Sequence, residues 1–223
     1  MGKPVENVDY DKHLGVNIGN ISSQHIISQA INEFIVKVNM VKSHFKYLPH
    51  DIMYMLFKTY CMPLYGCPLW DYSTKTIDKF YVSWRKSIRY ILDIPRTTHC
   101  ALLNEICNDM PIHLQLYLRF TNFFKQLKSS NNALTNTCAN LALMGSNSVA
   151  SSNITIISNY LHINRFNIIN VNKSMFHINA RISDEASVIR DLLTMRHSHL
   201  FTPHCTFFSR EDLNFMIESV CTM

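Results

Sequence analysis

The sequence predicts a mainly α-helical chain, and three observations carry that prediction. Apolar residues recur at steps of three and four over long segments, the spacing of one face of a 3.6-residue helix. Prolines and capping residues interrupt these segments at helix-length intervals. Only five glycines occur in 223 residues, alongside many asparagines, as suits helices joined by polar loops. A hydrophobic content of 47% with 17% charged residues belongs to a globular chain, and the length suffices to bury a core.

Residues 1–20 have no helical periodicity. Tyr10, Leu14, Val16 and Ile18 suggest a short extended piece, with Gly15 and Gly19 as punctuation. A long amphipathic helix follows, from about Gln24 to Phe45, because Ile27, Ile31, Phe34, Val38, Val41 and Phe45 form one narrow stripe. Lys37, Lys42 and Lys46 fall outside it. Pro49 ends this segment, and His50-Asp51 start a second helix over about Ile52 to Cys61. Met53, Leu56, Phe57 and Tyr60 make that helix apolar over much of its girth, so burial is expected. Between Pro63 and Pro68 no regular helix can form.

A third helix runs from about Lys75 to Leu92. Ile77, Phe80, Tyr81, Trp84, Ile88, Ile91 and Leu92 lie within about 120° at 100° per residue. Lys75, Lys79, Arg85, Lys86 and Arg89 project to the other side, giving one oily and one basic face. Pro95 ends it, and Thr97 or Thr98 can cap a fourth helix with Leu102, Leu103 and Ile106. Pro111 suits the first turn of a fifth helix reaching about Leu127, rich in Leu and Phe. From Ser129 to Asn153 the composition turns to Ser, Asn, Thr and Ala, which reads as a polar linker with one short helix at most. In the last third, Ser183 starts a helix over Asp184 to Arg196. Ser209 with Asp212 starts another carrying Leu213, Met216, Ile217 and Val220.

The net charge of +5 and pI near 8.8 are a mild basic excess, compatible with a nucleic-acid partner. No apolar run approaches the roughly 18–20 residues of a membrane span, and no signal-peptide core is visible, so the chain reads as intracellular. Seven irregularly spaced cysteines then read as free, mostly buried thiols.

Few chemistries have the residues they need. Two-metal nucleotidyl transfer requires clustered carboxylates, and no Asp-Asp pair occurs; Asp9 and Asp11 read as solvated loop acids. Asp184-Glu185 and Glu211-Asp212 suit helix first turns. Cys100, Cys107 and His113 with His99, or His197, His199, His204 and Cys205, could gather around zinc, but neither set has paired Cys-x-x-Cys spacing. No nucleophile elbow or glycine-rich phosphate loop is found. The basic face of the third helix remains. Its cations can neutralise phosphates without reading sequence, or they can form a solvated outer face. Tyr81 and Trp84 lie opposite, as core anchors.

Several segments together resemble the region downstream of the catalytic palm in reverse transcriptases of non-LTR, LINE-type retrotransposons. Lys12-His13-Leu14-Gly15-Val16 is similar to the short hairpin that follows the palm motifs in that family. Tyr65-Gly66, Leu69-Trp70 and Trp84-Arg85-Lys86 match its post-thumb segment. Ile94 to His99, Pro111-Ile112 and Arg119-Phe120 continue the pattern. After Lys128 the similarity weakens, then returns at Val188 to Leu193 and Ile217 to Thr222.

The resemblance implies an organisation and a role. Residues 1–20 would be the palm–thumb junction, with His13, Leu14 and Gly15 in a primer-grip-like hairpin. Residues 21–62 would be thumb-like helices, 63–128 a post-thumb basic unit, 129–153 the polar linker and 154–223 a C-terminal helical unit. The implied role is binding of a template-primer duplex or element RNA through Lys75, Lys79, Arg85, Lys86 and Arg89, with Lys37, Lys42 and Lys46 second. The family's endonuclease, fingers and palm are missing, so no polymerase activity is expected from this chain. The Mg²⁺ of the parent enzyme would bind residues that are not here, and the missing palm would be a partner. The implied compartment is the nucleus or a cytoplasmic ribonucleoprotein. Two other readings stand beside this one: a non-enzymatic helical interaction domain, and a decayed element copy without a selected function.

Overall fold

The computed structural model describes residues 10–13, 16–19, 21–98 and 100–178. The chain is mainly helical. Its extended N-terminal piece is an antiparallel hairpin of β1 (Tyr10–His13) and β2 (Val16–Gly19), with Tyr10 opposite Gly19 and His13 opposite Val16.

Helix α1 spans Ser23–His44. Ser22 caps it, its hydroxyl accepting from the His25 N–H at 3.3 Å. The apolar stripe is buried as the spacing predicts, with Ile27, Ile31, Phe34, Val38 and Val41 all in the core. Phe45 lies just past the helix end and is 37% exposed, so the stripe stops one step early. Helix α2 spans His50–Tyr60. It is not buried all round as its composition suggests. Met53 and Phe57 face inward, whereas Met55 and Tyr60 are each 56% exposed. Two inward residues on an eleven-residue helix suffice to seat it on one side.

A short 3-10 turn at Cys67–Leu69 follows, entered through Gly66 at φ 72°, a conformation that costs glycine nothing. Helix α3 (Lys75–Ile91) then buries Ile77, Phe80, Trp84, Ile88 and Ile91. Phe34 links the three helices, meeting Phe57 edge-on at 5.9 Å and Phe80 at 5.5 Å. Phe80 also meets Trp70 at 5.5 Å. Since Phe34 meets Phe80 and Lys42 reaches Ile91, α1 and α3 run in the same direction.

Helix α4 spans Cys100–Cys107 and α5 spans Ile112–Lys128, with Pro111 immediately before it. The Tyr72 hydroxyl donates to the Cys67 carbonyl at 3.0 Å, with the Leu116 carbonyl in reach at 3.2 Å. The Leu116 contact fastens the loop before α3 onto α5.

The expected polar linker over 129–153 is instead two helices, α6 (Ala133–Leu143) and α7 (Val149–Leu161). Its polar residues have structural tasks. Asn132 and Ser148 cap the two helices, each side chain accepting from backbone N–H groups of the first turn. Small Ala139 and Ala142 let α6 approach its neighbours closely, and Leu143, Ile154, Ile157 and Leu161 complete the buried faces. The boundary expected at 153/154 thus falls inside α7. Arg165 ties α6 to α7, donating to the Ala142 carbonyl at 2.9 Å, the Leu143 carbonyl at 3.3 Å and the Ser151 hydroxyl at 2.7 Å. Another 3-10 segment, Arg165–Asn170, leads to Val171 and Phe176, both fully buried. One apolar core runs from Ile27 to Phe176 without a break at 63, 129 or 154. The helices expected over 184–196 and after Ser209 lie outside the described residues. Among the described residues no helix is long and apolar enough to cross a membrane.

Candidate nucleic-acid interface

The eight cations singled out by the sequence separate into three groups. Lys75, Lys79 and Lys86 stand exposed on α3, and none is in an ion pair among the described residues. With Ser83 and Tyr90 they occupy successive steps of four, four, three and four. That spacing confines them to about 80° of the helix circumference. From Lys75 to Lys86 the row rises about 17 Å along the axis at 1.5 Å per residue. Asp78 lies off this line, on the flank toward Arg85.

Arg85 and Arg89 are half-buried at the edge of the basic face. The Arg89 guanidinium donates to the Thr98 carbonyl through Nε at 3.1 Å and Nη2 at 2.6 Å, and Nη2 also meets Cys100 Sγ at 3.3 Å. Its hydrogen bonds are spent on the loop between α3 and α4. Arg85 stands near His113 and adds to the lowering of that imidazole's pKa.

Lys42 departs furthest from expectation. It is only 9% exposed, and its ammonium contacts Asp93 Oδ2 at 2.6 Å and the Ile91 carbonyl at 3.3 Å. The C-terminus of α3 offers an unpaired carbonyl there, and the chain turns at Asp93 with φ 50°, which brings the carboxylate round to the same cation. Lys42 is therefore an internal tie between α1 and α3, not a free phosphate contact. Lys37 is half-buried beside Cys61 on the α2 side, so it and Lys42 leave opposite flanks of α1. Lys46 is exposed, its ammonium 5.6 Å from the Tyr47 ring centroid.

His13 closes β1 opposite Val16, while Leu14 and Gly15 lie outside the described residues. The first zinc set does not assemble. Cys100 is exposed against Arg89, whereas Cys107 is buried beside Tyr54, since α4 starts at the surface and ends in the core. His113 lies among Tyr81, Tyr117 and Tyr160, with ring centroids at 6.1, 5.9 and 5.9 Å. Burial first, then the Arg85 charge, lowers its pKa to about 4, so it is neutral near pH 7. Among the described residues no group of three His, Cys, Asp or Glu side chains could hold a metal. His99 and the set His197, His199, His204 and Cys205 lie outside them.

Tyr90 was not singled out by the sequence reading. It is 50% exposed at the end of the lysine row, with the Lys42 ammonium 5.7 Å from its ring centroid. Helical projection of the sequence places it on the basic side of α3. The motif tryptophans are structural, Trp70 and Trp84 being 2% and 3% exposed.

Compared with known proteins, the chain matches no family model, no curated protein and no solved structure.

Proposed function

We propose that this chain holds nucleic acid by its phosphate backbone, as the thumb and post-thumb part of a non-LTR retrotransposon reverse transcriptase. The observation that carries the proposal is the row Lys75, Lys79 and Lys86. These are three exposed ammonium groups on one line of a rigid helix, outside any ion pair among the described residues. Such a row meets successive phosphates and reads no bases. A hairpin followed by packed helices is also the order that the resemblance implies.

The proposed partner is a template-primer duplex or element RNA. The chain supplies grip and no nucleotidyl-transfer chemistry, since its sequence has no paired aspartates to hold Mg²⁺. Anisotropy titrations with a labelled oligonucleotide over a salt series test this. Binding should weaken steeply with salt, and reversing Lys75, Lys79 and Lys86 to Glu should flatten the dependence. Binding indifferent to both would contradict the proposal.

One observation favours the interaction-domain reading as a complement. On the outer side of α1, Ile35, Val36 and Met40 are 39%, 56% and 55% exposed, among Asn32, Asn39 and Ser43 and with exposed Glu33 beside Met40. In a larger enzyme this surface would pack on polypeptide, the missing palm being the partner that the resemblance supplies.

A further inference from the structure

We infer that Tyr90 is a base-stacking platform, and that the lysine row ending on it takes an unpaired strand in preference to a closed duplex. The inference rests on the nucleic-acid reading proposed above and adds the class of nucleic acid.

Tyr90 follows Lys86 by one helical turn on the same line as Lys75 and Lys79. A backbone tracked by the three ammonium groups therefore arrives at the ring. Half of this residue is exposed in line with Lys86, Ser83 and Lys79, with Val82, 39% exposed, at the edge of the row. The core side of the same helix is filled by Trp84, Ile88 and Ile91, and Tyr90 is not among its buried residues. The ring is also held in place. Lys42 lies over it at 5.7 Å from the centroid, and that ammonium is fixed by Asp93 and the Ile91 carbonyl. A platform backed in this way loses little side-chain freedom when a base lands on it.

Stacking then decides which strand is held. Every base has a π-face, so the contact tolerates sequence, but a paired base inside a helix cannot present that face to a surface ring. Lysines alone give a single strand no advantage, since counterion release per phosphate contact is larger from a duplex. The ring is what separates them.

Three fluorescent probes of equal length distinguish the outcomes: an adenine 12-mer, the same 12-mer with abasic sites, and a blunt 12-base-pair duplex. The intact single strand should bind about 5- to 100-fold more tightly than the abasic strand, the range expected for one stacked base. Tyr90→Ala should remove that advantage and leave abasic-strand and duplex binding unchanged, while Tyr90→Phe should keep it. Equal binding of intact and abasic strands by the unaltered protein, or a duplex bound as tightly as the intact strand, would overturn the inference whatever the variants do. So would a Tyr90→Ala variant that retains the advantage. In each case, weakening of all three probes by the Lys75, Lys79 and Lys86 reversal would leave the phosphate reading standing. If no probe binds in a salt-dependent way, both readings fall together.

Discussion

Asn153 and Trp70 are joined across 83 residues: the Asn153 Nδ2 donates to the Trp70 carbonyl at 2.7 Å. The same amide's oxygen accepts from the Tyr72 N–H at 3.0 Å, so one fully buried side chain satisfies two backbone groups of the loop before α3. The segment that reads as a linker is thus fastened to the heart of the molecule. Asn153→Ala should orphan both backbone groups and cost about 2–4 kcal/mol. Urea unfolding should show a lower midpoint in a single transition. Unchanged unfolding would mean that α7 does not belong to the cooperative unit.

Lys42 should behave as a structural residue. Its ammonium is enclosed, but Asp93 is 64% exposed, so solvent screening limits the pair to about 1 kcal/mol or less. Lys42→Ala, which also removes the buried stem, should lower stability by about 1–2 kcal/mol. Once the protein is folded, the salt dependence of its nucleic-acid binding should be unaltered. A flattened slope would place Lys42 back among the phosphate contacts.

His113 gives the chain an acid-sensitive joint. Its folded pKa of about 4 lies below the ordinary histidine value of 6.5, so between these values the unfolded chain binds a proton that the folded one refuses. The contribution is fully present above pH 6.5 and is lost as pH falls toward 4, on the order of 3 kcal/mol in all. His113→Phe, which keeps a ring among Tyr81, Tyr117 and Tyr160, should lose stability less steeply over that interval. Parallel curves for the two proteins in denaturant titrations from pH 7.5 to 4 would refute the assignment.

Thiol chemistry should sort the cysteines. Burial pushes the Cys107 thiol up to about 12 and Cys61 up to about 11, and it raises Cys67 as well. Cys100 and Cys138 are exposed. Brief treatment of the native protein with iodoacetamide at pH 8, followed by peptide mass spectrometry, should find Cys100 and Cys138 alkylated and Cys61, Cys67 and Cys107 protected. Early modification of Cys107 would mean that α4 does not seat its last turn in the core.

The legible parts of this fold are those in which one helix face meets one core. The stripe from Ile27 to Val41 and the oily sector of α3 are dictated by spacing alone, and both are buried. Segment 129–153 was not legible, because caps such as Asn132 and Ser148 and a buried amide such as Asn153 have the composition of a loop. The cationic site was half legible. Projection gives the side of a helix from which a lysine leaves, but not what awaits it there. Lys79 and Lys86 meet solvent. Lys42 meets the end of α3, and Arg89 meets the Thr98 carbonyl. Those partners come from other elements, and helix periodicity has no record of them.

The most direct test of phosphate gripping by the α3 row is the slope of log binding constant against log salt concentration. It is measured for the unaltered chain and for Lys75→Glu/Lys79→Glu/Lys86→Glu. Three lost phosphate contacts should reduce the slope by about 2–3, with cooperative unfolding retained because all three side chains are exposed. An equal slope in the folded triple variant would contradict the account.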